Sequence, residues 1–152
     1  MNDNDSAPVS PMGRVLIVAG SDSGGGAGIQ ADIKTVTMFG AYAATAVSAI
    51  TVQNTQGVSD VLPLEPEIIV RQMRAVLDDI GADVVKTGML HATEVIEAVA
   101  QELDARSGLK LVVDPVMVAT SGDPLLQDDG MIALRNLLVP AATILTPNMP
   151  EA

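Results

Sequence analysis

Cysteine is absent from all 152 residues, which excludes disulfides, thiolate metal sites and a cysteine nucleophile within them. Aromatic residues are almost absent: Phe39 and Tyr42 are the whole complement. A core must therefore be built from Val, Ile, Leu, Ala and Met, and no aromatic platform exists on which bases could stack. A heteroaromatic ligand would have to lie against aliphatic walls and methionine. Positive charge is scarce, with 8 basic against 19 acidic residues and a net charge of −11. That balance opposes non-specific binding to nucleic acid or anionic membranes, although a bound Mg²⁺ could offset it locally at a phosphate site. Long apolar runs are missing too. The longest uncharged stretch, residues 35–59, is interrupted throughout by Gly, Ser, Thr, Gln and Asn, unlike a lipid-facing span of about 20 apolar residues. The opening MNDNDSAPVSPMG is polar, acidic and proline-bearing, with no basic region leading into an apolar core. The expectation is a disordered tail over 1–13, no secretory signal, no membrane partner, no nucleic-acid partner and a cytoplasmic location.

What is present is 48% hydrophobic residues arranged as strand, then helix, repeated. Apolar runs predict strands at 15–19, 44–52, 83–87, 109–114 and 142–145. Helical stripes predict helices at 27–39, 67–80, 93–106 and 128–138, with Thr93 as an N-cap and Gly40, Gly81 and Gly108 as stops. A short extended piece is expected at 58–64. Strands alternating with helices at this spacing imply a parallel α/β sheet covered by helices on both faces.

The densest feature is RVLIVAGSDSGGGAGIQAD, residues 14–32. A buried strand runs into five glycines within nine residues and then into a helix. Glycines admit close backbone approach, and a helix start offers unpaired N–H groups, so the stretch reads as an anion- or ligand-binding device. Neither G-x-G-x-x-G nor G-x-x-x-x-G-K-[ST] can be read from it, which disfavours a dinucleotide site or a P-loop. Asp22 and Asp32 flank the loop and would repel a phosphate laid on it. A neutral, hydroxyl-bearing ligand suits the place better.

In parallel sheets, ligands sit at the carboxyl ends of the strands. Polar or unusual residues follow each predicted strand: Asp22, Gln53-Asn54-Thr55, Lys86-Thr87-Gly88-Met89, Asp114-Pro115-Val116-Met117, and Thr146-Pro147-Asn148 with Glu151. Each alone is accounted for by capping or solvation. Collected on one edge, they predict a cleft. The Gln53 amide offers a ligand one donor and one acceptor side by side, or else it satisfies loop backbone. Met89 is an adaptable apolar wall or ordinary core. Asp114, ending a buried strand, needs a partner or a metal, or else serves the turn before Pro115. Lys86 either contacts phosphate or extends to solvent. His91 reads as a loop residue beside a helix start.

GSDSGGGAGIQADIKT, AVSAITVQNTQGV, VVKTGML, LVVDPVMVATSGDPLL and ILTPNMPEA, in that order, resemble the hydroxymethylpyrimidine/phosphomethylpyrimidine kinases of thiamine biosynthesis, which have the ribokinase-like fold. The resemblance runs from about Arg14 to Ala152. It implies ATP- and Mg²⁺-dependent phosphorylation of the pyrimidine's hydroxymethyl group, then of the monophosphate. It implies that Gly20, Asp32, Gln53, Met89 and Val116 line the pyrimidine pocket. It further implies that Asp114 with the Asn148/Glu151 pair holds Mg²⁺, directly or through water. Such kinases are often dimers, so a homodimer belongs to the same implication.

Members of that family also carry a later G-x-G-[CD] element, whose N–H groups and Cys or Asp act on the substrate hydroxyl. None follows the last predicted strand here. Asn148, Pro150 and Glu151 moreover announce a helix just before Ala152. The expectation is that residues 14–152 are the N-terminal portion of a single kinase domain whose C-terminal half is missing, inactive alone. The rival readings are a non-catalytic pyrimidine-binding fragment and a pyridoxine or pyridoxal kinase.

Overall fold

Buried apolar runs that cannot face water on either side pair in parallel. In the computed structural model, which describes residues 10–117, 126, 128–149 and 151, five of them form one sheet. In chain order the elements are β1 (Arg14–Ala19), α1 (Gly28–Met38), β2 (Tyr42–Val47), β3 (Ala49–Asn54), β4 (Gly57–Pro63), α2 (Pro66–Leu77), β5 (Val84–Thr87), α3 (Thr93–Asp104), β6 (Lys110–Val113), α4 (Asp128–Ala133) and β7 (Ile144–Leu145). The sheet order is β2-β1-β5-β6-β7, every pair parallel, and β3 and β4 form a separate antiparallel hairpin. Residues 1–9 of the tail expected over 1–13, most of the loop after Met117 (residues 118–125 and 127), Pro150 and Ala152 lie outside the described residues, while Met12 and Gly13 at the tail's end are tied by backbone hydrogen bonds to Gly40 and Tyr42.

Strand alternation assigns the two faces. Leu16, Val18, Val85, Leu111 and Val113 join Ile69, Met73, Ile96, Val99, Leu134 and Leu138 in one aliphatic core under α2, α3 and α4. Residues of the opposite parity, such as Lys86, meet α1, whose Asp32 accepts a hydrogen bond from the Lys86 ammonium. Helices therefore cover both faces, three on one and α1 on the other. None of α1's residues is fully buried. As the composition requires, the core holds no aromatic ring: Phe39 and Tyr42 are both exposed.

Four details differ from the sequence reading. The run 44–52 is not one strand. Ser48 breaks it: its N–H donates to the Ala19 carbonyl, its hydroxyl donates to the Met89 carbonyl, and its own carbonyl accepts from Leu64. The chain leaves the sheet there and enters the hairpin, so Gln53 and Asn54 are strand residues rather than loop residues. Thr93 is the first residue of α3. Ala92 holds the cap position, with no side-chain hydrogen bond. The helix expected over 128–138 is α-helical only to Ala133 and closes as a π-turn over Leu134–Leu138, with Val139 N–H donating to Leu134. The last strand is two residues long because only Ile144 and Leu145 pair with β6.

Candidate active site

The loop after β1 is built around Asp22. Its carboxylate, 4% exposed, accepts N–H bonds from Gly24 (2.7 Å), Gly26 (2.9 Å) and Ala27 (2.8 Å). Burial is the largest influence on this group and raises its pKa, but the donors of Gly24, Ala27, Gly26 and Gly25 together outweigh it and hold the pKa below the ordinary carboxylate range. The sequence reads this loop as an anion- or ligand-binding device: its anion-binding N–H groups are filled by its own Asp22, while Ser21, Ala27 and Gly28 line the cavity described next. The loop's glycines serve the fold. A Cβ on Gly28, which has φ +56°, would meet the Gly20 carbonyl at 2.5 Å.

Beyond this loop, at the carboxyl ends of the parallel strands, lies a cavity of about 410 Å³. Asp32, Gln53, Met89, Asp114, Val116, Asn148 and Glu151 all line it, drawn together from α1, the hairpin and the segments after β5, β6 and β7. Gly20, the eighth residue singled out by sequence, does not face the cavity. It is buried behind it, and a Cβ there would meet Met89 Cε at 2.5 Å, so the missing side chain makes room for Met89.

Lys86 is the centre of charge. Its ammonium is 2.8 Å from Asp32 Oδ2 and 3.4 Å from Asp114 Oδ2. It does not extend to solvent, the second of the sequence alternatives; it lines the cavity with two carboxylates as partners and a third donor beyond them. With Glu151, three carboxylates face one ammonium in the cavity. Burial, first of all, raises the Asp114 pKa. Lys86 opposes the rise, and Glu151 and Asp32 add to it.

Glu151 clips two segments together. One carboxylate oxygen accepts the Met117 N–H at 2.7 Å and the other the Asn148 N–H at 3.1 Å. Asn148 Oδ1 accepts the Glu151 N–H at 3.0 Å in return, a reciprocal capping box. Val116, just before the clipped Met117, has φ +41°, costly for a β-branched residue. Among the described residues no group of three His, Cys, Asp or Glu side chains stands where it could hold a metal ion. The carboxylates of Asp114 and Glu151 could serve only a cation that draws most of its ligands from water and phosphate oxygens, as Mg²⁺ does.

The sequence reading missed Ser21, Thr51, Val58 and Val61, which also line the cavity. The two valines come from β4, so the hairpin forms part of the wall. Thr51 shares a strand face with Gln53 at period two. That signal was hidden by ending the strand at Val52. Among the described residues no helix is long and apolar enough to cross a membrane.

Comparison with known proteins places this geometry. The family model described as phosphomethylpyrimidine kinase matches residues 22–152. A hydroxymethylpyrimidine/phosphomethylpyrimidine kinase of Rhizobium meliloti is 53% identical over 137 residues, covering 90% of this chain and 51% of that protein. The crystal structure of a phosphomethylpyrimidine kinase from Clostridium difficile superposes with a TM-score of 0.85 at 46% identity, covering 91% of this chain and 60% of that one. A pyridoxal kinase from Staphylococcus aureus, solved with pyridoxal, gives 0.81 at 36% identity, covering 93% and 51%. The chain spans about half the length of most of the curated relatives it matches.

Proposed function

The chain belongs to the phosphomethylpyrimidine kinase family, and from that premise we propose that the protein acts in ATP- and Mg²⁺-dependent phosphorylation of 4-amino-5-hydroxymethyl-2-methylpyrimidine and its monophosphate. The observation that carries this reading is the common cavity of Gln53, Met89, Val116, Asp32, Asp114 and Glu151. The Gln53 amide reads the aminopyrimidine edge by its donor and acceptor. Met89 and Val116 supply the aliphatic walls that a chain without core aromatics must use. Asp114 and Glu151 would hold Mg²⁺, directly or through water, while Asn148 positions Glu151 through the capping box. When bound, the metal neutralises phosphate charge, the dominant need of phosphoryl transfer. Lys86 keeps Asp32 and Asp114 from repelling each other before ligands arrive.

Residues 14–152 form the N-terminal portion of a single kinase domain in this proposal, and a homodimer is the assembly that goes with it. The relatives' greater length supports the further statement that this polypeptide alone does not turn over. A coupled ADP-release assay with the pyrimidine tests both parts. A polypeptide extended to the length of the relatives turns over and the 152-residue chain does not. Turnover by the short chain refutes its inactivity, and none by the long one refutes the kinase reading. Calorimetry with the pyrimidine, with and without Mg-ATP, tests the rival of a non-catalytic binding fragment, which predicts binding that nucleotide does not alter. The likeness to pyridoxal kinases, at lower identity, supports a second reading in which a pyridine alcohol enters the same cavity. Substituting Gln53→Leu abolishes preference for the aminopyrimidine under the first reading and leaves substrate choice unchanged under the second.

A further inference from the structure

A freely rotating glutamine amide cannot tell an aminopyrimidine from its 4-oxo analogue. In the first, an exocyclic amine donates beside a ring nitrogen that accepts. In the second, a carbonyl accepts beside a ring N–H that donates. Half a turn about the terminal torsion of Gln53 exchanges its own donor and acceptor, so a free amide satisfies either ring. A site that takes only one must lock the amide.

Thr51 Oγ1 lies 2.8 Å from the Ser21 carbonyl oxygen and 3.2 Å from Gln53 Oε1. Thr51 is 5% exposed, so little water competes for its hydroxyl. That hydroxyl has one proton. The Ser21 carbonyl can only accept and is the closer partner, so the proton is committed to it. Whatever faces the hydroxyl's remaining lone pairs must donate. With Oε1 on that side, two acceptors compete for one proton; half a turn of the amide, which leaves its shape unchanged, puts the nitrogen toward Thr51 and removes the conflict. The rest of the assembly cannot shift to relax this. Thr51 N–H donates to Ser21 Oγ at 3.1 Å. The Ser23 hydroxyl accepts the Gln53 N–H at 2.8 Å and donates to the Gln53 carbonyl at 2.6 Å. The register shift between Val52 and Gln53 leaves Ser59 of β4 as the extra residue, so β3 runs on regularly and keeps Thr51 and Gln53 on one face.

We propose that Thr51 is the specificity-setting residue of this cavity. By accepting one N–H of Gln53 it leaves the other N–H and the amide oxygen facing the ligand, in the order that reads an accepting ring nitrogen beside a donating amine. The 4-oxo ring would turn the amide oxygen toward a Thr51 hydroxyl whose only proton is already given to Ser21. The inference rests on the aminopyrimidine reading above and names what enforces it.

The test is calorimetry of this chain with 4-amino-5-hydroxymethyl-2-methylpyrimidine and with its 4-oxo analogue. The unaltered chain prefers the amine by at least about tenfold, the scale of one well-placed bidentate contact. Thr51→Val, close in shape but without the hydroxyl, brings the ratio near unity, and Thr51→Ser restores it. Full preference retained in Thr51→Val, or a Thr51→Ser variant that behaves like Thr51→Val, overturns the proposal. Binding of neither ring by the unaltered chain defeats the aminopyrimidine reading instead, and the lock is then judged without ligand. Nuclear Overhauser contacts between the Gln53 side-chain NH₂ and the Thr51 γ-methyl are expected in the free protein. Their absence, with the NH₂ directed into the cavity, overturns the lock by itself.

Discussion

Asp22 follows β1 and Asp114 follows β6, at the same edge of one sheet. The first is enclosed by three backbone N–H donors, and its pKa is held down. The second has one ammonium at 3.4 Å and two carboxylate neighbours, and its pKa is pushed up. One carboxylate is consumed by the fold. The other is left with bonding capacity turned toward a cavity. The difference separates architecture from chemistry at positions that look alike in sequence: a group whose hydrogen bonds are complete has nothing left for a ligand.

The comparison can be broken most sharply at Asp22. Replacing it with Ala leaves three buried donors without an acceptor and is expected to cost roughly 3 kcal/mol. In urea or thermal denaturation that is a large loss. A change below about 1 kcal/mol would show that the loop does not depend on this carboxylate. At the second loop the expected sign reverses. Val116→Gly relieves the positive φ and gains about 1 kcal/mol, while weakening pyrimidine binding because the wall beside Met117 is lost. A destabilised variant would mean that the strain is not stored there.

Asp114→Asn has the smallest expected effect on stability, within about 0.5 kcal/mol near neutral pH, yet it removes the Mg-nucleotide response of an extended, active protein. The pH dependences of the two carboxylates oppose each other. A depressed folded pKa means that Asp22 stabilises above its unfolded pKa, and this contribution is lost as pH falls through the lower folded value. A raised folded pKa means that the contribution of Asp114 is present below its unfolded pKa and disappears as pH rises through the higher folded value. Urea midpoints across the acid range should therefore show the Asp22→Ala deficit shrinking as pH falls. Asp114→Asn should gain relative to the unaltered chain as pH rises. Parallel profiles would erase the distinction.

The parallel sheet was legible because strands covered on both faces read as unbroken apolar runs, and because Gly40, Gly81 and Gly108 punctuate the helices. Asn148 was legible as a cap with Glu151 in the turn after it, though not the reciprocal bonds between them. What escaped depends on partners far along the chain. The break at Ser48 is made by Ala19, Leu64 and Met89, none of them adjacent in sequence. Lys86 is fixed by Asp32, 54 residues away. The role of Asp22 had a local signal, an Asp two residues before a glycine N–H, but charge repulsion was weighed above turn chemistry. Seven of the eight residues singled out share one cavity because the strand-end rule concerns topology, which a repeating pattern does reveal.

The claim on which the account stands is that this edge of the sheet receives a pyrimidine alcohol. Amide chemical-shift mapping of the chain during titration with 4-amino-5-hydroxymethyl-2-methylpyrimidine tests it directly. The account predicts saturating shifts concentrated at Gln53, Met89 and Val116, with Arg14, Asp83 and Phe39 at the opposite edge unmoved. Shifts confined to that opposite edge, or none at any concentration, would contradict it.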